Sequence, residues 1–213
     1  PAAHRSGDAS LSIVIANDGR DEPLVEKVVG DAFRNMKPLE LREHIGRGGI
    51  VGLGGAVFPT AAKLASGAEA QAIRLLINGA ECEPYISCDE MLMRERADDV
   101  VYGAQVLCRT LAATECVIAL EDDATQAEQA LRAAVARVQD RTIRVAVVPS
   151  LYPAGGERQL IAAVFGWEVP FAGLPTDIGI FCQNVGTTAA IAHWVRNGEP
   201  LIRRIVTITG DGV

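Results

Sequence analysis

The chain has 213 residues, 49% of them hydrophobic and 22% charged. That balance suits one folded domain with a buried core and excludes a disordered chain. A net charge of -7 excludes a general nucleic-acid binder, which needs a basic footprint, but leaves room for a dinucleotide site, where backbone N–H groups and one or two cations neutralise phosphates locally.

The first residue is Pro rather than Met, which reads as a fragment of a longer protein. Residues 1–23 read as a linker with one strand, Leu11–Ala16, followed by the turn Asn17-Asp18-Gly19. From residue 24 to 213 the chain reads as one α/β domain. Pro38–Gly46 is a short helix with proline at its start. Gly46–Thr60 holds six glycines in fifteen residues, and a short helix, Thr60–Ala65, follows. The pattern then becomes regular. Ala72–Ile77 is a strand, and a long helix runs from a Ser87 cap to Leu111, with Ser87 and Glu90 at capping-box spacing. Glu115–Leu120 is a strand, Ala124–Val138 a helix and Thr142–Val148 a strand. That is β-α-β-α-β with strands apolar enough for burial on both faces, so the fold class is α/β, a Rossmann-like parallel sheet flanked by helices. Helices at Glu157–Phe165 and Val185–Arg196 follow, and Leu201–Thr209 reads as a last strand.

No apolar run reaches the ~18 residues that span a bilayer, and no signal peptide is visible, so the chain reads as soluble and cytoplasmic. The five cysteines include no C-x-x-C pair, which leaves no recognisable iron–sulfur or zinc site in this stretch. Of the three histidines, His4 lies in the linker and His44 and His193 in predicted helices. None lies near Cys82 in sequence, which argues against a Cys–His hydrolase.

In an open α/β sheet, ligands sit beyond the carboxyl ends of the strands. Asn78-Gly79-Ala80-Glu81-Cys82-Glu83-Pro84 follows the first strand of the regular unit, and Pro149 to Glu157, with Tyr152, Gly155 and Gly156, follows the third. Both are rich in polar groups and glycine. The second strand ends in Glu121-Asp122-Asp123, which reads as a solvated helix start. The segment Gly52-Leu53-Gly54-Gly55-Ala56-Val57-Phe58-Pro59 precedes a helix whose first turn holds Lys63. Glycines let a backbone approach a ligand, and a helix N-terminus favours a phosphate. Taken alone, the segment reads equally as a tight turn whose glycines serve packing. It is neither a Walker A loop nor a Gly-x-Gly-x-x-Gly after a strand. Glu81 and Glu83, on one side of an extended segment, suit an amide, a ribose or a ring as hydrogen-bond partner, or are simply solvated. Tyr152 also reads as a packing residue, Glu157 as a complement to the helix dipole and Asn184 as a helix cap.

Four segments in order, 52–64, 77–86, 152–157 and Cys182-Gln-Asn-Val-Gly-Thr187, resemble the C subunit of the Rnf ion-translocating electron-transport complex. The resemblance spans roughly residues 10 to 210. More distantly, the chain is similar to the flavin- and NADH-binding subunit of respiratory complex I. The resemblance implies a complex I flavoprotein-subunit-like domain and a non-covalent FMN that takes hydride from NADH. By the family's pattern, Gly52, Gly54, Gly55, Ala56 and Lys63 hold FMN, and Asn78, Glu81 and Cys82 lie around the ring and ribityl chain. Tyr152, Gly155, Gly156, Asn184 and Thr187 match further flavin contacts. Phe58, Glu83 and Glu157 match residues that bind NADH. Two positions depart: Leu53 stands where the complex I pattern has arginine, and Val57 where relatives commonly have glycine. A β-branched residue disfavours positive φ. The resemblance further implies two [4Fe-4S] clusters in the full-length protein and a β-rich domain before this one, of which Leu11–Ala16 would be a remnant. It implies the other Rnf subunits as partners, ferredoxin indirectly, and a peripheral place on the cytoplasmic face of the inner membrane. Two other readings share the architecture. One is a cobalamin reductase flavoprotein; the other is a non-catalytic scaffold related to a subunit of the sodium-pumping quinone reductase.

Overall fold

Four short apolar stretches pair side by side as one parallel sheet, which is the frame for everything else. The computed structural model describes residues 2–3, 9–10, 14–20, 22, 28–83 and 85–211. β1 (Ala2–Ala3) and β2 (Ala9–Ser10) form a small antiparallel pair. The main sheet contains β3 (Arg74–Asn78), β4 (Glu115–Glu121), β5 (Ile143–Val148) and β6 (Ile180–Asn184), in the order β5-β4-β3-β6. All three pairings are parallel. From β3 the chain builds outward through β4 to β5, then returns to lay β6 on the other side of β3. The reversal of direction falls between β3 and β6.

Successive side chains on these strands face opposite ways, so each face collects its own core. Leu75, Ile77, Cys116, Ile118 and Phe181 pack with α1 (Pro38–Arg47), α2 (Thr60–Glu69), α4 (Ala97–Leu111), α5 (Thr125–Val138) and α7 (Val185–Asn197). Leu76, Val117, Ala119, Ile180 and Cys182 pack on the opposite face with Leu160 and Ile161 of α6 (Glu157–Phe165). The sheet is therefore a buried middle layer, as expected for an all-parallel arrangement.

The elements differ from the sequence expectations in specific places. The long helix from Ser87 to Leu111 is two helices, α3 (Cys88–Glu95) and α4, broken at Arg96, whose φ of -133° is not helical. Ser87 makes no side-chain cap; its N–H donates instead to Thr207 Oγ1 at 3.0 Å. Residues 201–209, read as a last strand, form no strand and have no ladder partner among the described residues. β6 takes the sheet edge that a last strand would have used. It was hidden in sequence because only five residues separate two loops from the start of α7. Of Leu11–Ala16, residues 11–13 lie outside the described residues and 14–16 form no strand.

α1 and α7 are locked together by Trp194. Its indole N–H donates to the His44 carbonyl at 2.7 Å, and its ring stacks on His44 at 5.3 Å. A Cβ on Gly48 would come within 2.8 Å of the indole. Gly48 is thus required by packing, and its close contact with Trp194 sets the start of the glycine-rich segment against α7.

Candidate functional site

The carboxyl ends of β3 and β6 are register partners, with Asn78 beside Asn184. This is the reversal point of the sheet, and in open α/β sheets ligands sit beyond the carboxyl ends of the strands at such a point. A cleft of about 540 Å³ lies there. The glycine-rich segment lines it with Gly52, Gly54, Gly55, Ala56 and Phe58, and α2 adds Lys63. The loop after β3 contributes Asn78, Glu81, Cys82 and Glu83. Gly155 and Glu157 come from the entry to α6, and Asn184 and Thr187 from the β6–α7 junction. Two of the sequence-selected residues stand outside this cleft. Tyr152 is 84% exposed and lines a neighbouring hollow of about 260 Å³ with Glu121 and Ser150; Gly156 only precedes α6.

Hydrogen bonds tie the four segments to one another. Asn78 Nδ2 donates to the Gly155 carbonyl at 2.8 Å, while its Oδ1 accepts from Ala80 N at 3.0 Å. Leu53 N donates to Thr187 Oγ1 at 2.9 Å, fastening the glycine segment to α7. Asn184 caps α7 by accepting from Thr187 N at 3.1 Å and donates to Asp89 Oδ2 at 2.6 Å. Lys63 and Glu157 form an ion pair at 3.8 Å. Glu81 has a structural task within the cleft wall: its carboxylate accepts from Asp89 N at 3.1 Å and Glu90 N at 3.2 Å, capping α3 in place of Ser87. Glu121-Asp122-Asp123 is not a merely solvated helix start. Glu121 accepts from Glu81 N, Asp122 from Ser150 N and Asp123 from Ser150 Oγ, so this cluster joins the two polar loops.

The glycine segment leaves the sheet as a closed excursion. Val51 and Pro59 pair at its base, and Gly52 N donates to the Phe58 carbonyl at 2.9 Å. A Cβ on Gly54 would lie 3.2 Å from Asn184 Cβ, so glycine there permits close approach to the β6 tip. Gly55 has φ +107° and open space where a Cβ would point. Val57 adopts φ +54° despite its branched Cβ, a conformation that costs about 1–2 kcal/mol in a non-glycine residue. The turn is thus kept even where glycine is missing.

Two buried polar atoms of the cleft lining have no partner among the described residues: Thr60 Oγ1 and Gln183 Oε1, in side chains only 1% and 3% exposed. An unsatisfied buried polar atom costs roughly 1–3 kcal/mol unless a ligand or water meets it. The lining also holds two cations, Lys63 and Arg204, against four carboxylates, Glu81, Glu83, Asp89 and Glu157. Burial pushes the Asp89 carboxyl up to about 6; the Asn184 hydrogen bond and Arg204 oppose the shift, and Glu81 adds to it. Burial also raises the thiols of Cys82, Cys88 and Cys182, so all three stay protonated at neutral pH and are poor nucleophiles.

Sequence reading missed Thr60, Asp89, Gln183 and Arg204. Gln183 sits inside a segment already singled out, where alternation along β6 could have flagged it. Asp89 reads as a helix-dipole acid, and Arg204 lies in a stretch read as an ordinary strand. No local signal pointed either one at the cleft.

A family profile described as "Nuo51 FMN-binding domain" matches residues 45–193. The chain is 50% identical, over its whole length, to the C subunit of an ion-translocating oxidoreductase complex from Pseudomonas aeruginosa, and covers 27% of that protein. It is 46% identical over 212 residues to the equivalent C subunit from Haemophilus influenzae strain 86-028NP, covering 31% of it. The chain thus spans about a quarter to a third of the relatives it matches. Among solved structures, an NAD+-reducing [NiFe]-hydrogenase in the air-oxidized state superposes on 79% of the chain and 33% of its own, with a TM-score of 0.63 at 25% identity. With the cleft at the sheet reversal and a profile match over residues 45–193, the chain belongs to the Nuo51 FMN-binding domain family.

Proposed function

We propose that this chain is the FMN-binding, NADH-oxidising module of a membrane-bound Rnf electron-transport complex. The single observation that carries the reading is the convergence of four separate segments on one cleft at the carboxyl ends of β3 and β6. The residues present fit the cofactor. The glycine excursion lets backbone approach a ligand, α2 and α7 start at the cleft, and Thr60 and Gln183 offer it unpartnered buried atoms. In this reading Gly52, Gly54, Gly55, Ala56, Lys63 and Thr187 hold the phosphate and ribityl end, and Asn78, Cys82, Gly155 and Asn184 hold the ring. Glu81 acts chiefly by fixing α3 and Asp89 beside it. Phe58, 53% exposed at the rim, offers an adenine its face, and Glu83 and Glu157 offer a ribose or amide their carboxylates.

When bound, FMN supplies the hydride chemistry; the chain's residues orient the two reactants and exclude water. Electrons would leave through clusters held elsewhere in a longer protein and reach other Rnf subunits, with ferredoxin further along the route. No helix among the described residues is long and apolar enough to cross a membrane. In this reading the module sits at the cytoplasmic face of the inner membrane, beside the other subunits of the complex. Titration with FMN should quench flavin fluorescence at one equivalent, and NADH should bleach the bound flavin in the absence of oxygen. Glu83→Gln should weaken the NADH step with little change in FMN binding. Folded protein that binds neither FMN nor NADH would end this reading in favour of a scaffold.

A further inference from the structure

We propose that Arg204 grips the phosphate of the bound flavin nucleotide, and so makes the cleft select FMN over its phosphate-free form, riboflavin. The inference rests on the FMN reading above and deepens it.

Two cations line the cleft. Lys63 already has a carboxylate, Glu157, at 3.8 Å. Arg204 makes no ion pair among the described residues, although its charge favours the ionised Asp89 carboxylate. It is therefore the uncommitted positive charge of a lining that carries four carboxylates. A phosphate monoester of charge about -1.5 to -2 entering that lining needs such a cation. The isoalloxazine and ribityl portions of a flavin, which are neutral, do not.

Position supports the same assignment. Leu53, Cys88, Asp89 and Arg204 line both the cleft and an adjoining hollow of about 270 Å³, so Arg204 stands in the wall between them. Leu53 in turn is bonded to Thr187, and its Cβ lies 3.6 Å from where a Cβ on Gly186 would be. Arg204 is thus set beside the junction of the glycine segment with the first turn of α7, a thirteen-residue helix. A helix N-terminus adds partial positive charge to that corner. The unpartnered Oγ1 of Thr60 and Oε1 of Gln183 mark the same cleft as built for a polar occupant. A guanidinium presents a planar fork of donors that matches phosphate oxygens, which lysine does not.

The test compares FMN with riboflavin by fluorescence titration of the purified protein and of Arg204→Gln, Arg204→Lys and the double variant Leu53→Arg/Arg204→Gln. Arg204 is exposed and lies outside the helices and strands, so its replacement leaves the core untouched. We expect Arg204→Gln to weaken FMN by about tenfold or more while riboflavin affinity holds. Arg204→Lys should recover part of the loss. Leu53→Arg should restore FMN binding in the Gln background, because position 53 borders both hollows that Arg204 borders. The salt dependence of FMN binding should also flatten in Arg204→Gln. Equal weakening of both flavins, or unchanged FMN affinity, would overturn the assignment while leaving the FMN reading intact. If the unaltered protein binds neither flavin, both fall together.

Discussion

Asp89 shows how one residue records the character of the cleft. Its carboxyl is drawn from solvent, lies near Glu81, and is held by a donor from Asn184. The folded state raises its pKa from 3.8 to about 6, so folding disfavours the ionised form. Below pH 4 the group is protonated in both folded and unfolded chains, and no penalty exists. The penalty grows as pH rises from 4 to 6 and levels off above 6 at its full size, about 3 kcal/mol. Asp89→Asn removes the titration. The variant should therefore gain stability relative to the parent at pH 7 and lose that advantage near pH 4. Urea denaturation at the two pH values checks the difference; an equal offset at both would refute it. Residue-level reading succeeded where chemistry is written in residue type and spacing, as with Asn184, whose cap on α7 was legible. It failed for Asp89, because what surrounds a first-turn acid is decided by an element 95 residues away.

Among elements, the break between α3 and α4 and the close contact of α4 with α7 have the clearest consequences. Val100, Val101, Ala104, Leu107, Cys108 and Leu111 gave α4 its apolar face, and all six are buried in the core. The sequence pattern could not show that Ala97 begins a separate helix, since 3.6-residue periodicity survives a one-residue kink. Nor could it show the cap, because the capping carboxylate comes from Glu81, outside the helix. α4 and α7 meet at Gly103, where a Cβ would collide with the Thr188 carbonyl and its methyl group. Backbone cannot step aside as a flexible side chain can. Gly103→Ala should therefore destabilise the fold by about 1–3 kcal/mol, seen as a lower urea midpoint. Glu81→Ala should cost about 0.5–2 kcal/mol through the lost cap, with α3 amides gaining hydrogen exchange more than those of α5.

At the scale of the whole molecule, the class of fold was legible because buried parallel strands are nearly continuous apolar runs, and β3, β4 and β5 were readable from that alone. The partner on the far side of β3 was not. Pairing between segments some hundred residues apart is set by the completed packing, and 201–209 has as good a strand pattern as 180–184. Once the sheet order is fixed, the cleft follows from topology. A ligand that binds only the folded chain must stabilise it. FMN at about a hundred times its dissociation constant should add ~2.7 kcal/mol, raising the thermal midpoint by roughly 5–10 °C for a chain of this size. Circular dichroism melts with and without FMN check this, and no shift at saturation would contradict a site in the native state.

The neighbouring placement of Asn78 and Asn184 carries one last implication. Side chains alternate along a strand, so displacing β6 by a single position against β3 would rotate Gln183 to where Asn184 stands and turn the α7 cap away. The binding surface is then a check on sheet alignment. Its two halves come from distant parts of the chain and meet only when the edge strand has seated in the right frame. A chain that has assembled β3, β4 and β5 but not yet received β6 owns half a vessel, and nothing in it can be filled.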